Sequence, residues 1–154
     1  MARSSGNRRT PEQLHAVNPP DTLAAIDIDK FLSALSACES NHNDRAVGKA
    51  GERGRYQIRR STWSSFGRGV FDISAHDPVA ARDCAIRYLR SLGRILLDHG
   101  TVPNALDLAT MWNRGTLLAG PNDFANRVSN LYHDAFKSQT SNSASPIVQA
   151  RHYR

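Results

Sequence analysis

Long apolar runs are missing from the 154 residues. The longest, such as Ile95-Leu96-Leu97, hold a few residues where a bilayer span needs roughly 20, so no transmembrane segment is expected. Cysteine is scarce. Cys38 and Cys84 are too few for a disulfide scaffold and lack a CxxC spacing for zinc or redox chemistry; they read as core thiols, with a single bridge between them left open for an exported chain. The six histidines are scattered without paired ligand spacing, so neither a metal nor a cofactor is expected. Ser64 and Ser65 lack a Gly-x-Ser-x-Gly elbow. Gly48-x-x-Gly51-x-x-Gly54 lacks the Gly-Lys-Ser/Thr ending and a preceding strand, which removes nucleotide binding. No internal repeat is visible. Residues 1–10 are basic and polar and lead into no apolar run, so no standard secretory leader is expected there.

Lysine is scarce too, yet the chain is basic. Arginine supplies nearly all of a net charge of +6, with Lys30, Lys49 and Lys137 the only lysines. Such a surface attracts polyanions, whether nucleic acid, anionic wall polymer or acidic lipid, because steering depends on charge alone. The 40% hydrophobic and 22% charged fractions are those of a globular protein, and the length suits one domain.

The pattern divides the chain into a flexible basic segment over 1–22, a folded unit over 23–137 and a flexible Ser/Asn/Gln-rich tail over 138–154. Ile28, Phe31, Leu32, Leu35 and Cys38 form one helical stripe behind an Asp27 N-cap, running out at Glu39–Asn43. A glycine-rich loop follows, with an extended piece at Tyr56–Ile58 and a short helix carrying Trp63 and Phe66, capped by Ser61 or Thr62. Asp77-Pro78 is an N-cap and N1 pair opening a helix to His99, whose stripe includes Cys84, Leu89, Leu92, Ile95 and Leu96. Two more helices are predicted. One covers Asn104–Trp112, burying Leu106 and Ala109 and broken by Asn113-Arg114-Gly115; the other runs from Pro121 to about Phe136 with Phe124, Val128, Leu131 and Ala135 inward. These five segments make the fold mainly α, with at most a small β hairpin near Tyr56.

The chemistry concentrates at Glu39-Ser40-Asn41-His42-Asn43 and Gly54-Arg55-Tyr56-Gln57. Glu39 closes a helix, where the macrodipole disfavours an anion and raises the carboxyl pKa. Cover by Tyr56 and Trp112 would push the same way, leaving an acid able to donate a proton near neutrality. Both aromatics could stack on sugar rings, with core packing as the alternative.

These blocks resemble the signature of soluble lytic transglycosylases and goose-type lysozymes. In that family a Glu-Ser pair ends a helix, an Asn follows, a Gly-rich loop leads to Gly-Leu-Met-Gln, and Ala-Tyr-Asn-x-Gly comes later. Glu39-Ser40 with Asn43, Gly54-Arg55-Tyr56-Gln57 and Met111-Trp112-Asn113-Arg114-Gly115 match in order, with the Asp77-Pro78 helix between; the likeness spans Phe31 to about Tyr132. Arg55-Tyr56 stand where the family has Leu-Met, and Trp112 where it has the Tyr that bonds the Glu. The resemblance implies a lysozyme-like α+β fold with a helical core, and lytic transglycosylase activity on peptidoglycan. Glu39 would be the catalytic acid and then base, cleaving the MurNAc-β-1,4-GlcNAc bond to a 1,6-anhydro product. Ser40, Asn43, Tyr56, Gln57, Trp112 and Asn113 would bind substrate. It further implies an envelope, periplasmic or secreted location, a monomer and no nucleic-acid partner. Should Asp44 or Glu52 face Glu39 across the groove, hydrolysis competes; a hydrolytic lysozyme, a chitin-directed glycosidase or a non-catalytic wall-binding module are the other readings.

Overall fold

A computed structural model of the chain describes residues 21–142. Six helices are found among them: α1 (Ile28–Ser40), α2 (Arg60–Phe66), α3 (Phe71–Ser74), α4 (Pro78–Asp98), α5 (Ala105–Arg114) and α6 (Asp123–Asn142). The fold is mainly α. Among the described residues its β content is two isolated antiparallel bridges, Val47 with Arg53 and Arg53 with Ile58.

Helix α1 starts where Asp27 accepts from the Lys30 backbone N–H, satisfying an orphan donor of the first turn. It ends on two successive left-handed residues, Asn41 (φ 53°) and His42 (φ 63°), whose N–H groups return to the carbonyls of Ala37 and Ser36. Asparagine tolerates this conformation, so the chain reverses immediately after Ser40. Helix α4 opens on Asp77, which accepts from Val79 and Ala80, with Pro78 in the first turn.

Several boundaries differ from the sequence reading. Helix α2 begins at Arg60 with no side-chain cap, and Ser61 and Thr62 lie within its first turn. Helix α3 was not expected, since four residues are too short to display a period. Helix α5 continues through Asn113 and Arg114 and stops only at Gly115 (φ 70°), so both side chains stand on its last turn. Helix α6 starts after Asn122, which accepts from Ala125, and runs to Asn142, beyond the boundary expected at 137. The segments 1–20 and 143–154 lie outside the described residues. Tyr56–Ile58 is not an extended piece: residues 54–57 form a turn, and only Ile58 pairs, exchanging both backbone bonds with Arg53.

Helix α6 packs on α1 and α5, with Phe31 of α1 meeting Tyr132 of α6 edge-on at 6.1 Å. Leu35, Ile58, Leu89, Leu96 and Val128 are fully buried at the centre. The inward stripe of α6 is Ala125, Val128 and Tyr132; Leu131, expected inside, is exposed, as is Ile95 on α4, and Leu106 is only half-buried. All three sit beside a true core position, Tyr132, Leu96 and Ala105 respectively, where the approximate stripe of a helix leaves the exact rotation to its neighbours. Both cysteines are free thiols, Cys84 buried and Cys38 half-buried. Burial pushes the Cys84 thiol up to about 11, making it inert at neutral pH.

Candidate active site

The end of α1, the loop over 48–52, the start of α2, Tyr88 of α4 and the end of α5 enclose an open cleft of about 540 Å³. Ligand sites typically measure about 300–1,000 Å³. Glu39 lies in it, and no basic residue occupies the last turn of α1 to offset the helix terminus.

The indole Nε1–H of Trp112 donates to Glu39 Oε1 at 2.9 Å. Burial is the largest influence on this carboxyl and drives its pKa from 4.5 to about 7; the Glu52 charge pushes the same way, while the Trp112 bond and Arg59 oppose. Desolvation removes the water that stabilises the anion, and one indole N–H does not replace it. The acid is therefore about half protonated at neutral pH. Behind it the rings of Trp112 and Tyr88 lie 5.2 Å apart, and those of Tyr88 and Phe66 the same, so an aromatic row backs the cleft.

The loop between α1 and α2 folds tightly enough to hold its side chains. At Gly54 (φ 70°) an added Cβ would come within 2.1 Å of the Ala75 carbonyl oxygen, so only glycine lets the loop lie against the α3–α4 junction. Arg55 bonds Asp44 through two N–H donors, and His76 Nδ1 reaches the Asp44 carbonyl at 2.7 Å. Gln57 sits in the left-handed region (φ 46°), and its Nε2 donates to the Gly54 carbonyl at 2.8 Å. A strained non-glycine residue at a cleft is held only where its surroundings over-determine it.

Of the residues singled out from the sequence, Glu39, Gln57, Trp112 and Asn113 line the cleft; Asn113 also accepts from the Asn122 side chain at 2.8 Å. Three others do not. Ser40 Oγ donates to the Arg55 carbonyl at 2.9 Å and accepts from the Asn43 N–H, tying the helix end to the loop. Asn43 points its Oδ1 at the Arg45 N–H in a local turn. Tyr56 is 4% exposed and belongs to the core, so it is not a stacking surface. A short polar side chain beside backbone donors satisfies them first, and a large apolar ring is buried first.

Tyr88 of α4 also lines the cleft and was not singled out from the sequence as a site residue, because it falls within the periodic run of its helix. Lys49, Arg59 and Arg114 line it as well; none was expected as a substrate-binding residue, since their charges carry no local pattern. Glu52, considered as one of two possible partners, does line the cleft, with its carboxylate accepting from the Ala50 N–H at 3.0 Å. Asp44 is taken up by Arg55, which holds its carboxyl below the usual carboxylate range.

Among the described residues, no group of three or more His, Cys, Asp or Glu is placed to hold a metal ion, and no helix is long and apolar enough to cross a membrane. Comparison with known proteins gives no significant match to a family model, to a curated protein or to a solved structure.

Proposed function

We propose that this chain is a peptidoglycan-cleaving enzyme of lysozyme-like fold, a lytic transglycosylase acting at the cell envelope with Glu39 as its acid. The observation that carries the reading is the half-buried Glu39 carboxyl in an open cleft, with the Trp112 N–H at 2.9 Å and a pKa raised to about 7. Such a group holds a proton at neutral pH and can give it to a glycosidic oxygen. The Trp112 bond goes to Oε1, which leaves Oε2 as the site for the proton.

In the proposed reaction Glu39 protonates the bridging oxygen as the C1–O bond breaks, and the neighbouring acetamido group of the substrate supports the positive charge at C1. The resulting Glu39 carboxylate then removes the O6 proton, and O6 closes on C1 to give a 1,6-anhydro sugar. No water is consumed. Gln57 and Asn113 offer amides to sugar hydroxyls at the same cleft, and Trp112 and Tyr88 offer ring surface.

Glu52 favours a second reading. It is a carboxylate in the same cleft, and glycosidases that use two acids place them about 5 to 9.5 Å apart so that one serves as nucleophile or activates water. A water directed by Glu52 would give hydrolysis in place of the anhydro ring. Digestion of purified sacculi, with products weighed by mass spectrometry, separates the two: the transglycosylase product is lighter by one water. Glu39→Gln is expected to lower turnover about 10²- to 10⁴-fold with the fold intact. Clearing of sacculi by that variant at the parental rate would remove both readings.

A further inference from the structure

Three cations from separate stretches of chain border the cleft: Lys49 in the loop, Arg59 at the start of α2 and Arg114 on the last turn of α5. Several neighbouring cations are neutralised, although Arg45 of the same loop has no carboxylate partner among the described residues. Arg55 is paired with Asp44, and Arg53 and Arg60 with Asp72. At the cleft, no carboxylate pairs with Lys49 or Arg114 among the described residues, while Arg59, 69% exposed, meets Glu52 at 3.6 Å, the same separation as Arg53 and Asp72. Arg114 gives one Nη1 to the Ala119 carbonyl and keeps its other donors.

A neutral polysaccharide has no use for such a border. Chitin-type chains present hydroxyls and acetamido groups, which amides and aromatic faces recognise without net charge. Muramyl glycans add carboxylates, either on the lactyl ether of a peptide-free sugar or on the stem peptide. Arginine and lysine meet these with charge-assisted hydrogen bonds. Glu52 does not cancel the effect, since one carboxylate faces three cations and Glu39 is partly protonated at neutral pH.

We infer that Lys49, Arg59 and Arg114 make the cleft selective for glycans that carry carboxylates, with neutral chitin-type chains the disfavoured ligand. This deepens the proposed function and rests on it for the identity of the polymer, but not for the charge preference.

The test is binding, measured with the full chain carrying Glu39→Gln so that cleavage does not intervene. Three probes are titrated: peptide-free muramyl glycan, peptide-bearing muramyl glycan and a chitin oligosaccharide. At low salt the muramyl glycans are expected to bind about three- to tenfold more tightly than chitin, the range of a few partly exposed charge contacts. The difference should disappear by about 0.5 M salt, where the Debye length has shrunk to a few ångströms. It should also disappear when Lys49→Gln and Arg114→Gln are added; both side chains are exposed, and a matching thermal melt checks the fold. A preference shared by the peptide-free glycan assigns the recognition to the lactyl carboxylate, and one confined to the peptide-bearing glycan assigns it to the stem. Equal affinities for all three probes, or a preference that survives the added substitutions or high salt, overturns the inference. Cleavage by the parent chain is scored in parallel. Cleavage without charge preference overturns this inference and leaves the proposed function standing; charge-selective binding without cleavage does the reverse, and retention of none of the probes overturns both.

Discussion

Glu39 is worth most to the fold when it is uncharged. Its folded-state pKa of about 7 lies above the ordinary 4.5, so the native state holds the proton more tightly than the unfolded chain does. The stability linked to that proton is fully present below pH 4.5 and is lost as pH rises through 7. At about 1.4 kcal/mol per pH unit the full loss is on the order of 3–4 kcal/mol, of which about 2–3 kcal/mol falls between pH 5 and pH 8. Glu39→Gln cannot ionise, so the variant is expected to gain stability relative to the parent by that amount between pH 5 and pH 8. Urea midpoints at the two pH values check this; a difference independent of pH would mean that the acid is not held protonated. Trp112 supplies the opposing influence, because its N–H bonds the charged form. Trp112→Phe keeps most of the ring but removes the donor, so the Glu39 pKa is expected to rise further. The alkaline fall in kcat/KM that the proposed reaction predicts near pH 7 for the parent should then move to higher pH, a displacement that a loss of packing alone would not produce.

At the scale of elements, the site is made by helix ends and one braced loop. Asn41 and His42 stop α1 so that Glu39 falls in its last turn, and Gly115 stops α5 just after Trp112, Asn113 and Arg114. Between them Gly54 lets the loop lie against the Ala75 carbonyl. Gly54→Ala brings a Cβ into that carbonyl and forces an alanine into the left-handed region, and is expected to cost more than about 2 kcal/mol. Chemical denaturation measures it. The same substitution at Gly51, which also has positive φ (87°) but open space around its Cα, lacks the clash and should cost about 1–2 kcal/mol, which isolates the contact from the backbone strain.

For the whole molecule, α6 joins the two helices that present the candidate site, packing on α1 with Glu39 and on α5 with Trp112. Phe31 and Tyr132 form part of that joint. Phe31→Ala is expected to destabilise the chain by about 3–5 kcal/mol, the usual cost of emptying a fully buried aromatic site, and its thermal melt checks the figure. Because Phe31 is far along α1 from the cleft, any variant protein that remains folded should keep the pH at which its activity half falls. A displaced midpoint would mean that the core joint also sets the environment of Glu39.

The helices other than α3 were legible in the chain because their signals are local. Asp27, Asp77-Pro78 and Asn104 cap their helices from side chains a few residues from the groups they bond, and an apolar period shows which face turns inward. The place of Glu39 at a helix terminus was legible for the same reason, while its choice as the candidate acid came from the resemblance of the blocks around it to the lytic transglycosylase signature. What the chain could not disclose depends on contacts between distant segments. Tyr56 and Trp112 look alike as aromatic residues beside polar loops, yet one is sealed in the core and the other reaches across 73 positions to the Glu39 carboxyl. Ser40 turned to the Arg55 carbonyl, and Glu52 rather than Asp44 reached the cleft, because Arg55 had already claimed Asp44. Local hydrogen bonds and periodicity are written in neighbouring residues; burial and charge environment, which set the pKa of a carboxyl, exist only once the helices have packed.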